Sequence, residues 1–478
     1  VRRQTPHVLW LLLIWICALL ILSSCASSTS SSTSARNTST PFPVQQRTPT
    51  VIATTHTQAR QLSAVQALLA HPEAASQRVL LQVPSSLRTG IFSENRYLNV
   101  PPHFQIALYA QVPGARFMAE TPDGNLLVSQ PDKGDVVLVR PASDGSVPRS
   151  SIFVQGLRRP HDIVFHTIGS TTYVYISESN AVSRFVYRAG DTQAQQRQVV
   201  VANLPDSSLP ELHGAYGHEL KNIALDTNHK LYVSIGSSCN ACVSDTTSDP
   251  VRGAIYQYNA DGTQGLLYAR GLRNAEGLAF VPGTSELWGA VNNRDNIAYP
   301  FQDASGRYQQ VIPEYVDNHP PDEFMHITQG ANYGWPFCNP NPEKGMEHMP
   351  FDRDVQLNAD GHINCATMTR IDKGIQAHSA PLGLTFLQDP SEQGRSGALI
   401  GLHGSWNRTR RTGFNLIYFP WNMQQQQPEQ QIDLVTGWMV NETDYPWGRP
   451  VDAIADKQGS ILISDDSAGA IYKLTYQA

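Results

Sequence analysis

Six times between Phe104 and Leu474 the chain repeats one pattern: a short apolar strand, a polar turn, a second apolar strand, and a third ending in aromatic or β-branched residues. One copy runs Gly114-Ala115-Arg116-Phe117-Met118-Ala119, turns at Pro122-Asp123-Gly124-Asn125, and continues through Leu126–Ser129 and Val136–Val139. The later copies begin near Arg159, His218, Arg273, Ala380 and Arg449. Period-two alternation broken by Asp-Gly, Pro-Gly and Gly-Ser steps reads as hairpins. A hairpin unit cannot bury its apolar face alone and must stack on the next, so the repeats predict an all-β chain folded as a six-bladed β-propeller. The stretch Phe104–Tyr109 precedes the first copy and is expected to supply the missing strand of the last blade. A β-sandwich or a pair of small barrels accounts less well for repeats spread over about 370 residues. The pattern lapses between Asn292 and Gly397, and insertions of that size in a compact domain usually carry function.

Composition agrees. Only 16% of the 478 residues are charged, against roughly 25% in average domains, while 34 Gly and 32 Pro provide for many tight turns. That balance excludes a helical bundle or coiled coil. A net charge of −6 without a long Lys/Arg run excludes nucleic acid as a partner.

The first residues carry an address. Val1-Arg2-Arg3 is a short basic start, Val8–Leu22 an apolar run, and Leu22-Ser23-Ser24-Cys25 a small-residue ending. This is the form of an export signal. Its ending resembles a bacterial lipobox, which makes Cys25 the lipidation site and 1–25 a lipoprotein signal peptide. An apolar run of about 15 residues falls short of the ~20 that span a bilayer. The chain is therefore expected outside the cytoplasm, held at the cell membrane by its lipid. Residues 26–79, Ser/Thr/Pro-rich in their first half, are expected to form a disordered tether, with the propeller over 80–478. Four cysteines remain beyond the signal. In an oxidising compartment they are expected to pair as Cys239–Cys242, a local bridge, and Cys338–Cys365, a staple across a longer loop. A Cys₄ zinc site would want a second tight CxxC, whereas Cys338 and Cys365 lie 27 apart.

In a propeller, loops from every blade converge at the axial end, so the residues that open the inner strands decide what a pocket there can do. Here they are Arg116, His161, His218, Arg273 with Asn274, His378 and Arg449. Such residues describe a cationic, hydrogen-bonding funnel with histidine available as a base near neutral pH. It would suit a planar polyanionic cofactor or an acidic substrate, because Arg pairs with carboxylates in bidentate fashion. Taken alone, His161 serves equally well as a structural histidine.

Seven stretches in order carry a resemblance. They are Gly236-Ser237-Ser238-Cys239-Asn240-Ala241-Cys242, Gly271-Leu272-Arg273-Asn274, Asn332-Tyr333-Gly334-Trp335-Pro336, Ala377-His378-Ser379-Ala380-Pro381-Leu382-Gly383, His403-Gly404-Ser405-Trp406-Asn407-Arg408, Gly448-Arg449-Pro450-Val451 and Ser464–Tyr472. From Phe104 to Tyr476 the chain resembles the pyrroloquinoline-quinone (PQQ)-dependent sugar dehydrogenases of the glucose/sorbosone type, most nearly the sorbosone-dehydrogenase-like branch. The resemblance implies a six-bladed propeller that oxidises a sugar, polyol or aldose hydroxyl by hydride transfer to the quinone. Electrons would pass on to an acceptor such as a quinone pool or a cytochrome. It implies His218 as general base and Arg273, with Asn274, over the cofactor near its reactive carbonyl. Arg116, His378, Trp406, Asn407 and Arg449 would contact the cofactor. It also implies Ca²⁺ beside the cofactor, held largely by backbone oxygens, here those of Asn293 and Arg294 in Asn292-Asn293-Arg294-Asp295, with Asp322-Glu323 further on. Asn293 stands where relatives often have a carboxylate, and Glu219-Leu220-Lys221 departs from the small or hydroxylic residues and Arg that commonly follow the base. Two other functions fit a six-bladed ring. A calcium-dependent lactonase would need metal-ligating carboxylates at the axis, where this chain offers His and Arg. A non-catalytic propeller would bind a carbohydrate or protein partner.

Overall fold

The second strand of each repeat is mostly apolar, which requires cover on both faces, whereas Phe104–Tyr109 alternates. The computed structural model, which describes residues 62–389, 391, 395–441, 443 and 445–477, shows the consequence. Leu126–Gln130 and Ser396–Leu402 are buried at every position, and Phe104–Gln111 alternates buried and half-buried. The expected signal peptide, Cys25 and the expected tether as far as residue 61 lie outside the described residues.

Six antiparallel sheets follow one another along the chain, the six blades of a β-propeller. The first holds Met118–Glu120, Leu126–Gln130, Asp135–Arg140 and Arg149–Val154; the second, Ile163–Ile168, Thr171–Ser177, Val182–Tyr187 and Gln195–Val201. The third holds Ile223–Leu225, Lys230–Ile235, Ala254–Asn259 and Leu266–Arg270. The fourth holds Asn274–Phe280, Leu287–Asn292, Asp322–His326 and Ile371–Ile375, with Glu347–Met349 at its edge. The fifth is built on Pro381–Gln388, Ser396–Leu402 and Asn415–Asn422. The sixth takes Pro450–Ala455, Ile461–Asp465 and Ala470–Tyr476 from the C-terminal end and Phe104–Gln111 from the other. Phe104 pairs with Tyr476 and Gln111 with Ala470, so the strand expected to close the ring does so. The lapse in the repeat is an insertion within the fourth blade. Its third and fourth strands are separated by loops and by a small hairpin, Cys338–Pro340 with Phe351–Arg353.

Polar latches join the blades near the axis. Ser464 Oγ donates to the Arg116 carbonyl and Ser177 Oγ to that of Lys221, both at 2.6 Å. The carboxylates of Asp452, Asp162 and Asp322 accept the backbone N–H of Met118, Ile223 and Ala380 on the following blade, each at 2.9 Å. A buried carboxylate without such donors would cost several kcal/mol. Here it fixes the backbone from which the inner residues project.

One expectation is corrected. Residues 62–79, assigned to the tether, contain the helix Ala64–Ala70 and the strand Gln77–Leu80. Ser63 caps the helix in a capping box with Gln66. Val65, Leu68 and Leu69 are buried in one cluster with Leu81 and Leu98 and with Ile461 and Leu474 of the sixth blade. The Ser/Thr/Pro bias ends before this point, and Ala-Val-Gln-Ala-Leu-Leu-Ala has the apolar face that composition averaged over the longer segment conceals.

Both cysteine pairs are bonded, at sequence separations of 3 and 27. Chain entropy makes the longer loop the more stabilising, about 3.5 kcal/mol against about 2 kcal/mol for the short one. The double variant C338S/C365S is therefore expected to lower the denaturant midpoint more than C239S/C242S. Equal losses in paired unfolding curves would contradict this.

Candidate active site

The inner strands converge on a cavity of about 140 Å³ lined by His218, Arg273, Asn274, Asn292, Asn293, Asp295, Asp322, His378, Ala380, Gly404 and Trp406. Six of these are site residues expected from the sequence, His218, Arg273, Asn274, His378 and Trp406 around the cofactor and Asn293 beside the metal, and Asn292, Asp295 and Asp322 belong to the segments expected to flank that metal. The close approach of His218 and Asn274 depends on Gly236, where a Cβ would lie 2.7 Å from Asn274 Oδ1 and 2.8 Å from His218 Cβ.

His218 is half-buried, and its Nδ1 lies 2.9 Å from both the carbonyl oxygen and the hydroxyl of Ser237. The carbonyl can only accept, and the hydroxyl already donates to the Cys239 carbonyl at 2.8 Å. Nδ1 therefore carries the ring proton, and Nε2 keeps its lone pair, with no hydrogen-bond partner among the described residues. Burial, reinforced by the Arg273 charge, pushes the His218 pKa down to about 3. The ring is neutral at any ordinary pH.

Arg273 is buried and held at two points. Its Nε donates to the Asn240 carbonyl at 3.2 Å, and Nη2 to Asp295 Oδ2 at 2.9 Å. The other Asp295 oxygen lies 3.3 Å from His378 Nδ1, while His378 Nε2 lies 2.8 Å from the Val316 carbonyl. With an acceptor at each nitrogen the protonated form of His378 is favoured: burial alone would lower its pKa, but Asp295, Asp322 and Val316 together raise it. Burial likewise opposes ionisation of Asp295, and His378 with Arg273 overcomes it, holding the carboxyl below the usual range. His378 and Ala380 sit at φ +62° and +54°, a conformation costing non-glycine residues of order 1 kcal/mol each. The bonds of His378 and the Ala380 N–H on Asp322 hold them there.

A second cluster adjoins the cavity through Gly404. Arg116 Nη1 and His403 Nε2 each meet a different oxygen of Asp466 at 2.9 Å, and Arg449 Nε donates to the His403 carbonyl at 2.9 Å. The Nη groups of Arg449 have no hydrogen-bond partner among the described residues. Burial, helped by the Arg116 and Arg449 charges, lowers the His403 pKa to about 4 despite Asp466, whose own pKa is strongly depressed. The pair is a neutral imidazole donating to a carboxylate. In the unfolded chain His403 titrates near 6.5, so the unfolded state binds the extra proton between about pH 6.5 and 4. The stability due to neutral His403 is whole above that window and is lost as pH falls through it. The stability gap between wild type and H403N, whose amide still donates to Asp466, should therefore shift toward the variant by ~2–3 kcal/mol from pH 7 to 4. Parallel urea-unfolding profiles would contradict this.

His161 is wholly buried beneath these groups, its Nδ1 3.3 Å from the Lys221 carbonyl and its Nε2 facing Arg116. Burial holds it neutral, well below its ordinary pKa. Trp406 stands 74% exposed at the rim, and beside it the buried Nδ2 of Asn407 has no partner. The residues expected to offer backbone oxygens to a metal are differently engaged through their side chains. Asn293 Nδ2 donates to Pro321 O and Glu323 Oε1, and its Oδ1 accepts the Arg294 N–H. The Arg294 guanidinium is buried on Asp354, away from the cavity lining. No group of three or more His, Cys, Asp or Glu side chains is arranged to hold a metal among the described residues. Asp295 and Asn240 were not singled out as partners of Arg273; their positions within Asn-Asn-Arg-Asp and Cys-Asn-Ala-Cys were the available signal.

Comparison with known proteins places this geometry. The holo form of the PQQ domain of pyranose dehydrogenase from Coprinopsis cinerea superposes with a TM-score of 0.65 at 18% identity, over 79% of this chain and 97% of that one. A calcium structure of a carbohydrate-active enzyme of family AA12 from Trichoderma reesei gives 0.66 at 20% identity, over 79% and 96%. At these identities the likeness is one of fold. A curated Borreliella burgdorferi protein without an assigned function is 26% identical over 268 residues, 54% of this chain and 61% of its own length. A family model described as TrAA12-like matches residues 99–477, which takes in every blade and the whole cavity: the chain belongs to the TrAA12-like family.

Proposed function

We propose that this chain is a PQQ-dependent oxidoreductase that oxidises a CH–OH group of a sugar or related polyol, with His218 as the general base. The observation that carries the proposal is the locked tautomer of His218, which leaves a neutral Nε2 lone pair at a cavity it shares with Arg273. A substrate hydroxyl placed against Nε2 gives up its proton there. Arg273, kept charged and oriented by Asp295 and Asn240, favours negative charge developing on oxygen opposite the base.

The donors suit a planar tricarboxylate. Arg449 offers two uncommitted Nη groups, Asn407 a buried N–H₂ without a partner, and Trp406 an exposed ring face for stacking. With Arg116, Asn274 and His378 these residues would hold the quinone, which when bound supplies the acceptor for the hydride. The neighbour named as a holo PQQ domain supports this reading, as does the resemblance across the seven motifs; the sorbosone-type branch is its finer form. Calcium is less well matched: among the described residues the side chains converge on no cation site, and the proposed ligands are backbone oxygens of Asn293 and Arg294. Export through the 1–25 signal and lipidation of Cys25 would set the enzyme at the membrane, near a quinone pool or cytochrome able to accept its electrons.

The test is titration of purified protein with pyrroloquinoline quinone, with and without calcium, followed by absorbance and by dye-linked oxidation of a sugar and polyol panel. Saturable binding with quinone-dependent turnover is expected. Neither binding nor turnover across the panel would overturn the proposal.

A further inference from the structure

Ser237, Cys239 and Asn240 lie in one short loop that touches both the base and the cation. Ser237 receives the His218 ring proton, and its own N–H donates to the Arg273 carbonyl at 2.8 Å. Asn240 makes four hydrogen bonds. Its carbonyl accepts from Arg273 Nε at 3.2 Å and from Trp335 Nε1 at 3.1 Å. Its side-chain amide reads the Asp295 backbone with both ends, Oδ1 accepting the N–H and Nδ2 donating to the carbonyl, each at 2.8 Å. A backbone N–H only donates and a carbonyl only accepts, so this pairing also settles which way the amide points. Asn240 thus grips both members of the Arg273–Asp295 ion pair, one by its main chain and the other by its side chain. The Cys239–Cys242 bridge closes the loop around it. On the preceding side Ser238 is pinned by Asp245, which accepts its N–H at 2.7 Å and its hydroxyl at 2.8 Å.

We propose that Asn240, held in place by the Cys239–Cys242 bridge, is a positioning residue that sets Arg273 and Asp295 relative to His218, and that this bridge serves the site more than the stability of the fold. The inference rests on the roles assigned to His218 and Arg273. A bridge spanning three positions removes little freedom from the unfolded chain, yet it encloses the residue on which two elements remote in sequence meet, the inner strand of the fourth blade and the insertion at Trp335. A displacement of about 1 Å at a group that stabilises developing charge can cost on the order of 10²-fold in rate.

The test compares N240A and C239S/C242S with wild type, and uses C338S/C365S as the control bridge. In protein free of cofactor, the Trp335 indole N–H resonance, identified by its loss in W335F, should move in N240A and in C239S/C242S and stay in place in C338S/C365S. With pyrroloquinoline quinone added, kcat should fall on the order of 10²-fold in the first two, with KM changing by less than about threefold; the control should keep its kcat and lose midpoint stability. An indole resonance unmoved in both N240A and C239S/C242S would overturn the clamp, as would wild-type kcat in N240A. Wild-type protein without quinone-dependent turnover would instead defeat the dehydrogenase reading, and the cofactor-free resonance separates the two failures.

Discussion

Replacing His218 by Asn should lower kcat by roughly 10²- to 10⁴-fold, the span attributable to a positioned general base, while leaving quinone binding largely intact. Asn keeps a side-chain N–H for the Ser237 carbonyl, so the loop retains a donor where Nδ1 now sits, and what is lost is the Nε2 lone pair. The pH profile adds a second test of the same assignment. Burial and the Arg273 charge hold the His218 pKa at about 3, so the base is in its active form across ordinary pH. The kcat/KM of the wild type should therefore show no acid limb assignable to this residue above about pH 4. Steady-state kinetics of the two proteins with saturating quinone read both effects. Turnover of H218N within about tenfold of wild type would remove His218 from the proton transfer.

Arg273→Lys should produce the other large effect, a fall in kcat of roughly 10²- to 10³-fold, comparable to the loss of one oriented oxyanion donor. Lysine conserves the charge but not the fork. The native guanidinium spends Nε on Asn240 and Nη2 on Asp295, which leaves its remaining face directed by two fixed anchors. An ammonium on a flexible stem cannot meet both and still present a donor at a set position. Because the interaction strengthens as charge develops, the substrate KM should change far less than kcat. R273A is the less informative variant, since it leaves the buried Asp295 carboxylate without its Arg partner and confuses folding with catalysis. Measurement of kcat and KM for R273K against wild type decides the matter; a rise in KM with unchanged kcat would assign Arg273 to ground-state binding alone.

Sequence suffices where the governing interactions are local or repeat along the chain. Alternation of period two, the turn residues between runs and sixfold recurrence are properties of neighbouring residues, and they led to the propeller and to Phe104–Tyr109 as its closing strand. The pairing of Cys239 with Cys242 follows from proximity in the chain, and that of Cys338 with Cys365 from the remaining pair. His218, Arg273, Asn274 and His378 could be placed at one cavity because each opens or shortly precedes an inner strand, and all such strands start at one end; Trp406 follows the second strand of the fifth blade. Composition misled at 62–79, where a capped apolar helix follows a polar tract and buries against a cluster formed largely by residues hundreds of positions later.

Residues alone therefore determined the all-β class, the number of blades, both disulfide partners and most of the cavity lining. Tertiary structure decided the chemistry of that lining. Arg116 finds Asp466 350 positions away, Asn240 meets Trp335 across 95, and Arg273 meets Asp295 across 22. Ring closure brings the first pair together, packing of the third blade on the fourth-blade insertion the second, and strand pairing within the fourth blade the third; their charge states depend on burial and on which lone pair each neighbour already uses. A histidine in a string of letters is a base, a ring drawn toward its protonated form, or an inert ring. His218, His378 and His161 become those three things here because the folded surroundings differ: an acceptor on one nitrogen only, an acceptor on both, or enclosure with an arginine against the second nitrogen.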